Sequence, residues 1–203
     1  MLVVYTLLGE AREALFAERP TALAPLAYRA RIEAMRSLEA RARTMAGLWL
    51  LEQGLAILDI APTRLDGLGF GPGGRPEFAD GPCFSISHSG ALVACALDTA
   101  GTIGLDVEQR RDGIAPRLQR SVAPDGDFFE AWCAREATVK ASGRVGLARI
   151  RAATIDGAIA YLDDRRWYLA PLSLAPGYAA CLAGTRPLAP AAVECVDAGA
   201  RAG

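Results

Sequence analysis

Short apolar runs, alternating in places with polar residues, predict strands at residues 2–8, 83–97 and 102–108, and again around 150–155, 158–162, 166–171 and 178–183. Longer stretches near 10–18, 26–58 and 126–142 repeat their apolar positions at helical spacing. In the second of these, Ile32, Met35, Ala42, Met45 and Trp49 form an apolar stripe, while Arg29, Arg36 and Arg43 recur every seven residues along another side. Asp125 or Asp127 can cap the third stretch, and Gly143 stands just past its end. Glycines crowd a loop at 67–76, and Pro and Gly separate the later strands. Strands and helices are interspersed throughout, so the expected class is mixed α/β, of the α+β kind. Residues 185–203, rich in Ala, Pro and Gly, read as a loose tail.

Composition narrows this picture. The 203 residues are 52% hydrophobic and 22% charged, enough for a packed core in one domain or two small ones. A formal net charge of -1 offers no attraction to nucleic acid, and no nucleic-acid partner is expected. The five cysteines, at 83, 95, 133, 181 and 195, are odd in number and lack a Cys-x-x-Cys. They read as reduced thiols of a cytoplasmic protein and argue against zinc. The apolar start, Met1 to Leu8, lacks a basic leader and reads as a first strand, not a signal peptide. No apolar span is long enough for a membrane, so no membrane partner is expected.

The candidate chemistry begins at Ile103-Gly104-Leu105-Asp106-Val107-Glu108. In a strand Ile103, Leu105 and Val107 face a core, and Gly104, Asp106 and Glu108 face away from it, placing two carboxylates side by side. Such a pair suits a hard divalent cation such as Mg²⁺. In the segment from Trp132 to Lys140, helical spacing stacks Trp132, Glu136 and Lys140 in one stripe, which presents a carboxylate and an ammonium together. The aromatic residues Phe128, Phe129 and Trp132 suggest that this helix is docked. The segment Phe84-Ser85-Ile86-Ser87-His88-Ser89-Gly90 holds the only histidine in the chain, at a strand end where small residues leave room for a ligand. Upstream, Gly73-Gly74-Arg75-Pro76 sets an arginine fork beside a rigid proline, suited to phosphate.

Taken in order, Gly74-Arg75-Pro76, Phe84 to Ser89, Ile103 to Glu108 and Trp132 to Lys140 resemble the 4'-phosphopantetheinyl transferases of the surfactin-synthetase-activating type. The resemblance runs from about Leu26 to Leu182. It implies transfer of the phosphopantetheine arm of coenzyme A to a serine of an acyl or peptidyl carrier protein, with Mg²⁺, releasing adenosine 3',5'-bisphosphate. It implies a fold of two similar α/β halves packed as a pseudodimer, here residues 1–100 and 101–184, able to work as a monomer. By position Asp106, Glu108 and Glu136 match the family's metal ligands. His88 and Lys140 match groups on the coenzyme A phosphates, and Arg75 stands where lysine is common. Arg31, Arg36 and Arg41 match basic residues that hold the 3'-phosphate and adenine end. The serine nucleophile belongs to the carrier, and Glu136 or a metal-bound water is the candidate base.

The chain departs from the family pattern at Ser85, where asparagine is usual, and at Arg135, where lysine is common. The stretch from Arg110 to Asp127, a region that contributes to carrier docking in the family, is short. An alternative reading is a non-catalytic relative that binds coenzyme A or a carrier protein. Two other readings are weaker. Gly69-Phe70-Gly71-Pro72-Gly73-Gly74 matches Gly-x-Gly-x-x-Gly literally, but it runs into Arg75-Pro76 and not into a helix. A serine hydrolase at Ser87 or Ser89 lacks the Gly-x-Ser-x-Gly elbow.

Overall fold

A computed structural model describes residues 1–71, 73–124, 126–144, 146–189 and 192–201. The first strand, β1 (Leu2–Leu7), leads into helix α1 (Glu10–Glu18), then α2 (Leu26–Glu33) and α3 (Leu38–Ile57). A short hairpin, β2 (Leu68–Phe70) and β3 (Pro76–Phe78), precedes the longer hairpin β4 (Cys83–Ser89) and β5 (Leu92–Asp98). Gly90, at φ +54°, makes the tight turn between β4 and β5. After β6 (Ile103–Gln109) come α4 (Pro116–Val122), α5 (Phe128–Ala141) and α6 (Leu147–Ala152). Strands β7 (Thr154–Asp156), β8 (Ile159–Leu162), β9 (Arg165–Leu172) and β10 (Tyr178–Gly184) follow, and β11 (Glu194–Asp197) and α7 (Ala198–Arg201) complete the elements.

Two main sheets result, ordered β11-β1-β5-β4 and β6-β10-β9-β8-β7. The first is covered by α3, whose Leu50, Leu51 and Leu55 are fully buried. Close approach explains two glycines on one helical face: a Cβ on Gly47 would lie 2.8 Å from Ile86 Cγ2, and one on Gly54 would meet Leu97. The second sheet is covered by α5, which crosses β6 and β10. Between the sheets Val3, Leu92, Ala94 and Ala96 meet Ile103, Leu105, Val107 and Leu182 in a further apolar layer. Strand β5 is therefore buried on both faces, which accounts for its nearly continuous apolar run.

Four expectations are corrected. The strand expected over 83–97 is the antiparallel hairpin of β4 and β5, turned at Gly90. The helix expected over 26–58 is two helices, because Ala34 and Met35 close α2 by bonding back to Ala30 and Ile32, and Ser37 caps α3 by accepting from the Ala40 N–H at 3.1 Å. Arg29, Arg36 and Arg43 therefore do not share one helical face. The strand expected at 150–155 is mostly α6, with only Thr154–Asp156 extended. The tail expected at 185–203 contains β11, which lies parallel to β1 with Leu2 opposite Glu194 and Val4 opposite Val196. Val196 enters the N-terminal core, and pairing satisfies backbone groups of β1 that would otherwise form an open edge. The first sheet thus draws its outer strand from beyond residue 100. Pro190, Ala191, Ala202 and Gly203 of that tail lie outside the described residues, as do Asp125, one of the two candidate caps, and Pro72 of the glycine-rich loop. Among the described residues no helix is long and apolar enough to cross a membrane.

Candidate active site

Alternation along β6 sends Ile103, Leu105 and Val107 into the inter-sheet layer and Asp106 and Glu108 to the opposite face. That opposite face is covered by α5. A Cβ on Gly104 would collide with the Ala137 carbonyl and the Ala141 N–H, so the absence of a side chain lets helix and strand touch. Contact there brings Glu136 and Lys140 over the strand carboxylates. Asp127 caps α5 by accepting from the Glu130 N–H at 2.9 Å, and Phe128 stacks on Trp132 with ring centroids 5.7 Å apart. The Trp132 indole N–H donates to Glu136 Oε2 at 2.9 Å, which fixes that carboxylate from behind.

Asp106, Glu108 and Glu136 each offer an oxygen within 4.8 Å of the others. The Lys140 ammonium stands among them, 2.6 Å from Asp106 Oδ1 and 3.5 Å from Glu136 Oε1. Asp106 is 2% exposed, and its Oδ2 has no hydrogen-bond partner among the described residues. A buried, unpartnered carboxylate oxygen beside two further carboxylates is a strong demand for a cation. The all-oxygen donor set fits a hard ion such as Mg²⁺ or Mn²⁺.

Ser87 enters this cluster although its spacing announced only a strand. Its hydroxyl accepts from Lys140 Nζ at 2.9 Å and donates to Asp106 Oδ1 at 3.0 Å. It belongs to a ladder. Ser85, Ser87 and Ser89 of β4 accept from the backbone N–H groups of Leu105, Val107 and Gln109 at 2.9, 3.3 and 3.0 Å. Serine hydroxyls thus satisfy the free edge of β6 where a neighbouring strand would otherwise sit. Ser89 also donates to Glu108 Oε2 at 2.7 Å. The departure from asparagine at Ser85 therefore occupies a joint between the sheets. A period-two run of serines two strands before an acidic strand was the available signal for this ladder.

Burial pushes the Asp106 carboxyl up to about 6, against the opposing pull of Lys140. Burial alone would lower the Lys140 ammonium; Asp106 and Glu136 outweigh it and hold the group above its ordinary value. The two groups form a charge-assisted pair in a protected setting.

Lys140 joins this cluster to a cleft of about 290 Å³ walled by residues of α2, α3, β4 and α5. Tyr28, Arg31, Arg43, His88 and Lys140 line it, together with Gly73, Gly74 and Arg75. Arg31, Arg75, His88 and Lys140 are thus brought together as the sequence suggested. Arg36 sits exposed between α2 and α3, outside the cleft lining. Arg41 faces the other way: it donates to the Ala17 and Arg19 carbonyls at 2.7 and 2.8 Å and ties α3 to the end of α1. Arg43, from the same basic run, is the residue that reaches the cleft instead.

Arg75 lines the cleft with its terminal nitrogens already engaged. They donate to the Lys140 carbonyl at 3.0 Å, the Phe84 carbonyl at 3.0 Å and the Ile103 carbonyl at 2.8 Å. One guanidinium thereby pins the end of α5 to β4 and β6. The imidazole of His88 stands at the cleft wall, where partial enclosure, then the charges of Arg43 and Lys140, lower its pKa. Of this run Gly69, Phe70, Gly71, Gly73 and Gly74 are described; the Gly74 N–H donates to the Gly71 carbonyl at 2.8 Å, and strand β3 follows. Among the described residues no helix opens there, as the dinucleotide fingerprint would require.

No protein-family model matches the chain. Over 107 residues, 43% of this chain and 43% of the relative, it is 30% identical to a Synechocystis sp. protein named "Putative 4'-phosphopantetheinyl transferase". Over 62 residues, 30% of this chain and 24% of the relative, it is 40% identical to the uncharacterized protein YieE of Escherichia coli. These matches span less than half the length of either relative, and of the two only the Synechocystis protein bears a name that states an activity.

Proposed function

We propose that this chain transfers the 4'-phosphopantetheine group of coenzyme A to a serine of an acyl or peptidyl carrier protein, in the manner of the surfactin-synthetase-activating type. The observation that carries the reading is the buried, unpartnered Asp106 Oδ2 within a three-carboxylate cluster that Lys140 joins to a cleft lined by Arg31, Arg43 and His88. A carboxylate cluster wants a metal ion, and a cationic cleft beside it wants phosphates; a nucleotide diphosphate with Mg²⁺ answers both. Two sheets, each backed by a long helix and packed together, are compatible with a pseudodimer of two α/β halves.

In this reading Asp106, Glu108 and Glu136 hold Mg²⁺. The bound ion supplies charge neutralisation on the diphosphate oxygens. Arg31, Arg43 and His88 grip phosphate groups of coenzyme A, and Lys140 offers donors on the leaving side. The carrier serine oxygen bonds to the phosphorus that bears pantetheine. The bond from that phosphorus to the bridging oxygen breaks, and adenosine 3',5'-bisphosphate leaves with the electron pair. Glu136, oriented by Trp132, takes the hydroxyl proton.

The test is intact mass of a panel of apo-carrier proteins after incubation with the protein, coenzyme A and Mg²⁺, with a chelator control. A metal-dependent gain of about 340 Da on a carrier supports the phosphoryl-transfer reading. Asp106→Asn should reduce that gain by about a thousandfold in rate. Coenzyme A binding without transfer to any carrier would instead favour a non-catalytic relative.

A further inference from the structure

Of the 22 lysine and arginine residues in the chain, Lys140 alone is lysine. Its position explains the choice of side chain. The ammonium is held by Asp106 Oδ1 at 2.6 Å, Ser87 Oγ at 2.9 Å and Glu136 Oε1 at 3.5 Å. Three oxygens around one small cation suit a compact ammonium with three donors, and do not suit a wide, planar guanidinium. The ammonium therefore occupies two of the three carboxylates, Asp106 and Glu136, that a divalent ion would use.

We propose that Lys140 is the resident counter-cation of the carboxylate cluster and is exchanged for the metal ion when the site loads, so that metal binding turns the ammonium out into the cleft. This rests on the reading of Asp106, Glu108 and Glu136 as metal ligands. Two features make the exchange stepwise. Asp106 Oδ1 is engaged by Lys140 while Glu108, its side chain 23% exposed, is bonded to Ser89 and not to the ammonium, so an incoming ion has a carboxylate to meet before the ammonium leaves. Stripping a buried carboxylate of its partner first would be costly, and this order avoids it. The Lys140 side chain is 22% exposed and lines the cleft, so a rotation of its flexible stem carries the charge toward the phosphates without disturbing α5. Loading the metal thus frees for phosphate an ammonium that the unloaded site keeps bonded to Asp106 and Ser87.

Two measurements test the exchange on the full chain, neither reading catalysis. The first is calorimetric titration of Mn²⁺ into wild type, Lys140→Met, Lys140→Gln and Arg111→Met, with folding checked by circular dichroism. Arg111 stands 3.5 Å from Glu108 at the exposed rim and is the control for loss of a nearby charge. Removing the competing ammonium should tighten Mn²⁺ binding by about tenfold in both Lys140 variants, and Arg111→Met by about threefold at most. The second is amine acetylation followed by peptide mass spectrometry, made simple by the single lysine. Labelling of Lys140 should rise several-fold when Mn²⁺ is added. Lys140 variants that bind Mn²⁺ no more tightly than Arg111→Met, or labelling unchanged by Mn²⁺, would overturn the exchange while leaving the metal ligands in place. If neither wild type nor the Lys140 variants bind Mn²⁺, the metal reading falls and the exchange with it.

Discussion

Gly104 of β6 lies directly beneath the Ala137 carbonyl of α5, with no room for a Cβ between them. Every contact between the strand carboxylates and the helical glutamate and lysine depends on that approach. Gly104→Ala must push helix and strand apart, at a cost of about 3 kcal/mol for overpacking at a rigid backbone contact. Chemical denaturation should show the loss, and Mn²⁺ affinity should fall with it. An alanine variant as stable as wild type would mean that α5 is not fixed to β6 as described.

Arg41 and Arg43 are two residues apart and should behave oppositely. Arg43→Ala should weaken coenzyme A binding by about tenfold by removing a cation from the cleft, with little change in stability. Arg41→Ala should cost about 1–2 kcal/mol of stability, because it cuts bonds to the carbonyls at the end of α1, and leave coenzyme A affinity unchanged. Calorimetry and urea unfolding on both variants separate the two roles. Reversed outcomes would restore Arg41 as a ligand residue.

The single histidine makes its titration directly readable by NMR. His88 in the free protein has a pKa below 6.5, lowered by partial enclosure, then by Arg43 of α3 and Lys140 of α5, with its own backbone and Glu39 pulling the other way. Between the lowered value and 6.5 the folded state holds fewer protons on His88 than the unfolded chain does. The stability it contributes is therefore present above 6.5 and is lost as pH falls through the folded value. A phosphate placed beside the ring favours the imidazolium, so coenzyme A should raise the pKa and binding near pH 6 should take up a proton. An imidazole that titrates identically with and without coenzyme A would remove His88 from the binding wall.

Trp132→Phe keeps the ring that stacks on Phe128 but deletes the N–H bonded to Glu136. Stability should change by about 1 kcal/mol or less, since one partly exposed hydrogen bond is lost. The transfer rate should fall by about tenfold through kcat, with KM for coenzyme A little altered, because Glu136 is no longer held in orientation. A change confined to KM would place Trp132 in substrate binding.

Period two in β6 and the three-to-four spacing of Trp132, Glu136 and Lys140 were sufficient to place those side chains on facing surfaces. Both signals are local, and both elements are long enough to express them. The basic run was less legible. Seven-residue spacing of Arg29, Arg36 and Arg43 has meaning only on a continuous helix, and the Ser37 cap interrupts it without the aid of Gly or Pro. Which arginine enters the cleft then depends on how α3 is rotated against the first sheet, set by Gly47 and Gly54, contacts that no local pattern announces. The serine ladder was equally hidden, because its partners are backbone N–H groups of a strand in the other sheet.

Pairing of β11 with β1 joins segments separated by almost the whole length of the chain. A ribosome delivers β1 early and β11 only after both hairpins, α5 and the second sheet have emerged. During that interval the outer edge of β1 is open to any strand that passes, including another nascent chain. Contacts of such long sequence separation also slow folding, since loop closure must precede their reward. Closure of that edge therefore waits on one four-residue strand, and conditions that delay it, such as high expression at elevated temperature, should favour association between incomplete chains.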